Sequence, residues 1–99
     1  MALKNEIEAF KKTLHQNSPP EHWSPCLKSL WYDANANWNT AHSLVDGSKE
    51  PMADAIHAYL HRKEGDEWNA GYWYRIAKRP FFEGSFEQEF QQLLEECLA

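Results

Sequence analysis

Residues 54–80, DAIHAYLHRKEGDEWNAGYWYRIAKRP, decide the predicted fold. Their apolar side chains recur every three or four positions on both sides of Gly65, which is the pattern of two amphipathic helices. Gly65 is placed to end the first helix, Asp66 to cap the second and Pro80 to close it. The stretch therefore predicts a helical hairpin whose first helix spans about residues 51–63.

The same periodicity continues on both sides of this hairpin and predicts about six helices. Ser24 before Pro25 is typical of a helix start, and Ser85 with Gln88 forms a capping-box pattern. We expect these helix residues to face the core: Leu3, Ile7, Phe10 and Leu14; Leu27, Leu30 and Trp31; Trp38, Ala41, Leu44 and Val45; Met52, Ile56, Tyr59 and Leu60; Ala70, Trp73, Ile76 and Ala77; Phe86, Phe90, Leu93, Leu94 and Cys97. The prediction is one all-α domain over residues 1–99. Two helical hairpins, in a right-handed superhelix or a compact bundle, are flanked by N- and C-terminal helices.

Composition excludes several classes of protein. The chain has 99 residues, 25% of them charged, with a mean hydropathy of -0.76, which is typical of a small folded domain. No run of about 18 apolar residues is present, so we expect no membrane span. The opening MALKNEIEAFKK lacks the apolar core of a signal peptide.

The net charge limits the kinds of partner that we expect, and the cysteines indicate the cellular compartment. A net charge of -5 repels phosphate groups, so we expect neither nucleic acid nor an anionic membrane as the main partner. Cys26 and Cys97 lack the CxxC spacing and lie among apolar neighbours. Reduced, packed thiols and a cytoplasmic location are therefore predicted.

The two halves of the chain share a dipeptide, Trp-Asn, at positions 38–39 and 68–69, each just after an expected turn. Residues 54–80 resemble a tetratricopeptide-type repeat through the following positions: Gly65, Ala70, Tyr74, Ala77 and Pro80. His57 departs from that pattern, because the repeat usually has a large apolar residue there. The resemblance implies closely paired helices.

The string IHAYLHRKEGDEWNAGYWYRIAKRP, with WNTAH upstream, also resembles a family of small, uncharacterised bacterial all-helical proteins. This resemblance covers the central two-thirds of the chain. It implies a helical fold and common ancestry, and it carries over no catalytic residue.

His57 and His61 are the first candidates for chemistry. They lie four residues apart in the predicted fourth helix and share a flank with Glu64, outside the main apolar stripe. Such a pair binds Zn²⁺ or another divalent ion when further ligands arrive from elsewhere. His42 and Asp46, one helix earlier, are the best candidates for those ligands.

Two other roles for these histidines stay open. They could form a metal-free acid/base pocket, or they could cap, stack on tryptophan or bridge the hairpins. The spacing lacks the glutamate of the HExxH zinc proteases, because residues 58–60 read Ala-Tyr-Leu. No nucleophile motif or glycine-rich phosphate loop is present, so the sequence leans away from an enzyme.

A second group of candidates lies in the predicted fifth helix. Consecutive residues on a helix point about 100° apart, so we expect Trp73 to face inward and Tyr72 and Tyr74 to occupy the flanks. Aromatic surface near Trp68 is either covered by a terminal helix or left as a groove for a partner or ligand. Asn69 falls on the apolar face, where it ties the preceding turn or contacts a ligand.

Two hypotheses for the function result. The first is a small interaction or ligand-binding module, monomeric or weakly dimeric, with an unidentified protein or small-molecule partner. Its candidate residues are His42, His57, His61, Trp68, Asn69, Tyr72 and Arg75. The alternative is an enzyme or metal-binding protein with a His57/His61 pocket assisted by His42, Asp46 or Glu64. A divalent metal ion is the one cofactor under consideration, and the acidic last helix serves as a cap or as a dimer contact.

Overall fold

Six helices form in the computed structural model, which describes residues 2–99, with side chains from Leu3 onward. They are α1 (Ala2–Thr13), α2 (Pro25–Ala34), α3 (Trp38–Val45), α4 (Ala53–Lys63), α5 (Glu67–Ala77) and α6 (Phe86–Leu98). These described residues contain no strand. The prediction of an all-α domain with about six helices is confirmed.

Side-chain caps set the starts of four helices. The Ser24 hydroxyl accepts from the backbone N–H of Leu27, the third residue of α2, and Asn37 and Asp66 cap α3 and α5 in the same way. Ser85 and Gln88 form the reciprocal capping box of α6. Each cap satisfies a donor that the first helical turn would otherwise leave unpaired.

Helix α4 lies at the centre of the fold. It pairs with α5, as α2 pairs with α3, while α3 packs on α4 and α6 closes over α1, α2 and α4. Eight of the eleven α4 residues are buried as a result. The flank that carries His57 and His61 lies outside the main apolar stripe of α4 but is nevertheless buried, because α3 and α5 cover it.

The orientation predicted for α5 is wrong by about one residue. Tyr74 is buried and Trp73 half-buried, whereas Ile76 is 42% exposed. The cause is a polar anchor, since the Tyr74 hydroxyl donates to the Glu89 carboxylate of α6. Phe86, expected in the core, is instead exposed and lies under the Arg62 guanidinium.

Both cysteines are free thiols, Cys26 buried and Cys97 half-buried, as the spacing predicted. None of the six helices between residues 2 and 99 is long and apolar enough to cross a membrane. Burial raises the pKa of both thiols, and that of Cys97 reaches about 12. The cysteines therefore belong to the packing between the first and last parts of the chain.

Candidate functional site

Three imidazole rings meet where α3 packs on α4. His42 comes from α3, His57 and His61 come from α4, and one ligand atom of each lies within 4.8 Å of the others. The Nε2 atoms of His42 and His57 are 2.9 Å apart. His42, which the sequence indicated as a further ligand beside the His57/His61 pair, thus lies next to that pair. We refer to these three residues as the histidine cluster.

Local sequence and helix packing both build this cluster. Residues four apart lie on one face of a helix, which aligns His57 with His61. Trp38 fixes α3 against α4, because its indole N–H donates to the Leu60 carbonyl oxygen at 2.7 Å. Trp38 also stacks on His42, one turn later, with ring centroids 4.8 Å apart.

A second indole closes the other side of the cluster. Trp73 of α5 stacks on His57 with a centroid distance of 3.9 Å. The histidine cluster is therefore enclosed between Trp38 and Trp73, with His57 only 2% exposed. The sequence assigned both tryptophans to core packing. The spacing of Trp38 to His42 was a usable signal, whereas the contact of Trp73 with His57 depends on how α5 lies along α4.

His57 is neutral at physiological pH. Burial disfavours its charged form, the nearby His42 and His61 add to this effect, and its pKa falls to about 4. Its Nδ1 atom is buried and has no hydrogen-bond partner among the described residues. A buried polar atom of this kind is rare and calls for an explanation such as a bound ion or water.

Glu64 orients the third ring. Its Oε1 lies 2.6 Å from Nδ1 of His61, three residues earlier. With Nδ1–H donated to the carboxylate, Nε2 of His61 keeps its lone pair. This is the carboxylate–histidine arrangement that orients metal ligands in proteins.

A neighbouring acidic group shares His61 but has a structural role. His61, Glu64 and Asp66 also bring ligand atoms within 4.8 Å of one another. Asp66, however, accepts from the backbone N–H of Asn69 at 3.1 Å and from its side-chain amide at 2.6 Å. These hydrogen bonds lower the pKa of Asp66. Asn69 therefore ties the turn before α5, which is the first of the two roles that the sequence left open for it.

The other predicted residues lie away from the cluster. Asp46 is the exposed C-cap residue of α3 and does not belong to the group of close ligand atoms. Trp68 is 76% exposed and stacks on the partly exposed Tyr72. Arg75 is also exposed, one turn beyond Tyr72 on the same side of α5. The structure thus separates the candidates into a buried cluster and an exposed helix face.

The cluster offers imidazole nitrogens rather than carboxylate oxygens. Neutral imidazoles suit zinc, copper and nickel ions and give no strong site for Mg²⁺ or Ca²⁺, which prefer oxygen. No protein family, curated protein or solved structure was found to match the chain.

Proposed function

We propose that the protein binds one divalent transition-metal ion, such as Zn²⁺, through His42, His57 and His61. The observation that carries the proposal is the convergence of three imidazoles from two helices, with ligand atoms within 4.8 Å. The alternative is a hydrogen-bonded structural cluster, since Nε2 of His42 and Nε2 of His57 lie within hydrogen-bond distance of each other.

The nitrogen spacing suits a zinc-sized ion. Two imidazole nitrogens at about 2.05 Å from a tetrahedral Zn²⁺ lie about 3.3 Å apart. Nε2 of His42 and His57 are 2.9 Å apart, so a separation of about 0.4 Å would admit the ion. His42 supplies this freedom, because it is the half-buried member of the cluster.

The protonation state of His57 also favours metal binding. Metal ligation requires neutral imidazole, and ions compete with protons at ordinary histidine sites. His57, with its pKa near 4, has no proton to displace at pH 7. Three protein ligands leave a further coordination position for water or a small ligand, which is the arrangement of catalytic rather than structural zinc sites.

Metal titration of the chelator-treated protein tests the proposal. We expect one equivalent of Zn²⁺ to bind and to raise the melting temperature, and Mg²⁺ to do neither. His42→Gln and His61→Gln should weaken binding by more than the roughly 10- to 100-fold that loss of an outer partner costs. His15→Gln and His22→Gln are matched controls, since both histidines are exposed and lie outside the cluster.

Two results would contradict metal binding. One is the absence of saturable binding of Zn²⁺, Ni²⁺, Co²⁺ or Cu²⁺ by folded protein. The other is equal loss of affinity in the His22→Gln control and in His61→Gln. Circular dichroism of each variant separates a lost ligand from a lost fold.

Interaction with another protein is a second candidate function, supported by the exposed Trp68–Tyr72 pair. Tyrosine and tryptophan are enriched at protein interfaces. The stretch that resembles a tetratricopeptide-type repeat includes this pair, which accords with a binding role for the hairpin. Variants at Trp68 that abolish association, without changing the melting temperature, would support it. The two free thiols also favour a reducing compartment such as the cytoplasm.

A further inference from the structure

The outward side of α5 carries an apolar stripe. Trp68 is 76% exposed, and Tyr72 and Ile76 are each 42% exposed. They account for three of the five large hydrophobic side chains exposed in the described part of the chain. Because they are spaced by four residues, they line one side of the helix. The opposite side, with Ala70 and Tyr74, is buried.

Gly71 is half-buried and lies at the edge of this exposed side, about 100° around the helix from Tyr72. A glycine inside a helix destabilises it relative to alanine. The fold of a single chain does not require it, because an added Cβ would contact only Nη1 of Arg75, at an ordinary 3.6 Å. Glycine in such a position lets the backbone of another helix approach closely, as small residues do at helix crossings.

We propose that a second copy of this chain docks on the face formed by Trp68, Gly71, Tyr72, Arg75 and Ile76, which we call the α5 face. The two α5 helices would lie antiparallel, related by a two-fold axis near Gly71 and Tyr72. Such a contact is isologous and closes after two subunits. It rests on observations separate from those that support the metal site.

The pairing of Trp68 with Arg75 favours a second copy as the partner. With a two-fold axis between residues 71 and 72, two residues lie level with each other across the interface when their numbers add up to 143. Trp68 of one subunit then lies level with the partner subunit's Arg75. On a helical projection the two positions are only about 20° apart, so they lie on the same side of the crossing. The guanidinium can thus stack on the indole in both directions.

Complementary charges at the two ends of α5 also favour a second copy as the partner. Glu67 lies at the start of α5 and Lys78 is its C-cap residue, so the two opposite charges lie at opposite ends of the helix. In an antiparallel pair, Glu67 approaches the partner subunit's Lys78 with an axial offset of about 3 Å. A parallel pair would bring like charges together instead. The chain therefore carries a self-complementary pattern for the antiparallel arrangement.

The dimer is weak, because the contact is small. An eleven-residue helix is about 16 Å long, and interfaces at the low end of the size range give transient association. Detection requires high protein concentration. Every measurement is made with a chelator present, so that dimers bridged by metal ions do not form and the outcome is independent of the metal-binding proposal.

Sedimentation velocity from about 10 µM to about 1 mM tests the dimer, a range that covers transient association. We expect the native chain to move from monomer to dimer. Trp68→Ala should weaken association at least about 10-fold, which corresponds to the loss of one interface anchor. Gly71→Ala should raise the melting temperature of the monomer yet weaken the dimer, since the new methyl group lies at the crossing.

Charge reversal identifies the direction of pairing. Glu67→Lys should weaken the dimer, and the double variant Glu67→Lys with Lys78→Glu should restore it. Glu83→Lys, an exposed reversal in the segment between α5 and α6, is the matched control and should leave association unchanged. A chain that stays monomeric at about 1 mM overturns the proposal. So does a dimer that Trp68→Ala and Gly71→Ala leave unaffected, because association then uses another surface.

Discussion

The indole ring of Trp73 lies parallel to the imidazole ring of His57, with centroids 3.9 Å apart and planes inclined by 12°. His42 approaches the same imidazole edge-on, with a centroid distance of 4.6 Å. A proton added to His57 would create a charge in a site that water does not reach. Protonation of the histidine cluster therefore acts against the stability of the whole fold.

We expect the metal-free protein to lose stability as the pH falls from about 6.5 toward 4. The ordinary pKa of histidine is 6.5 and that of folded His57 is about 4, so the unfolded chain binds more protons between these values. Stability then rises with pH across this window. The contribution of His57 to the free energy of unfolding should fall by about 2 kcal/mol between pH 7.5 and about pH 5. Urea unfolding at several pH values in the presence of a chelator measures it.

His57→Gln isolates this contribution, because glutamine does not titrate. The difference in unfolding free energy between the native chain and the variant should shift with pH in favour of the variant as acidity increases. Parallel pH profiles for the two proteins would show that the pKa of His57 is the same in the folded and unfolded chain, which contradicts the prediction.

Glu64→Gln should reduce the affinity for Zn²⁺ by roughly 10- to 100-fold, the usual cost of losing the outer partner of a ligand histidine. The amide cannot stabilise the His61 ring as the carboxylate does at 2.6 Å. Calorimetric or dye-competition titration gives the affinity. Glu67→Gln removes a nearby exposed carboxylate that is outside the cluster, and it serves as the control. An equal loss of affinity in both variants would mean that Glu64 acts only through its charge.

Local sequence patterns predict much of the fold and part of the candidate site. The caps at Ser24, Asp66 and Ser85 depend on side chains three residues from the N–H groups they satisfy, so they were predictable from sequence. The alignment of His57 with His61 follows from helix geometry alone. Their burial does not, since it depends on α3 and α5 both packing against α4.

The orientation of α5 shows the same limit. Periodicity ranks Trp73 above its neighbours for burial because tryptophan is large and apolar. Tyr74 is buried instead, since a tyrosine hydroxyl can enter the core when a buried carboxylate accepts its hydrogen bond. That partner, Glu89, is fifteen residues away in the last helix. No local pattern identifies such a pair.

Both thiols should react slowly with an aromatic disulfide reagent at about pH 8, because burial holds them in the protonated form. The pKa of Cys97 is about 12, and the charge of Glu50 raises it further than burial alone. Thiol release in native protein, compared with protein in concentrated urea, measures the protection. Complete reaction of two thiols within the mixing time of the native protein would contradict this packing.

Two tyrosines on the same helix provide the last test, which concerns the anchor between α5 and α6. The Tyr74 hydroxyl donates to Oε2 of Glu89 at 2.5 Å, while Nε of Arg62 holds Oε1 at 2.9 Å. Tyr74→Phe removes the donor to one carboxylate oxygen of Glu89, a residue that is only 3% exposed. We expect a loss of about 1.5–3 kcal/mol in the free energy of unfolding, the range for hydrogen bonds to charged groups.

Tyr72→Phe is the matched control, because it removes the same atom from an exposed ring two residues earlier. It should change the free energy of unfolding by less than about 0.5 kcal/mol. Urea titrations at low protein concentration keep dimer formation out of both measurements. A loss at Tyr72→Phe as large as that at Tyr74→Phe would contradict the exposed position of Tyr72. The α5 face would then lose its apolar stripe, so this pair of variants tests the orientation on which the proposed dimer depends.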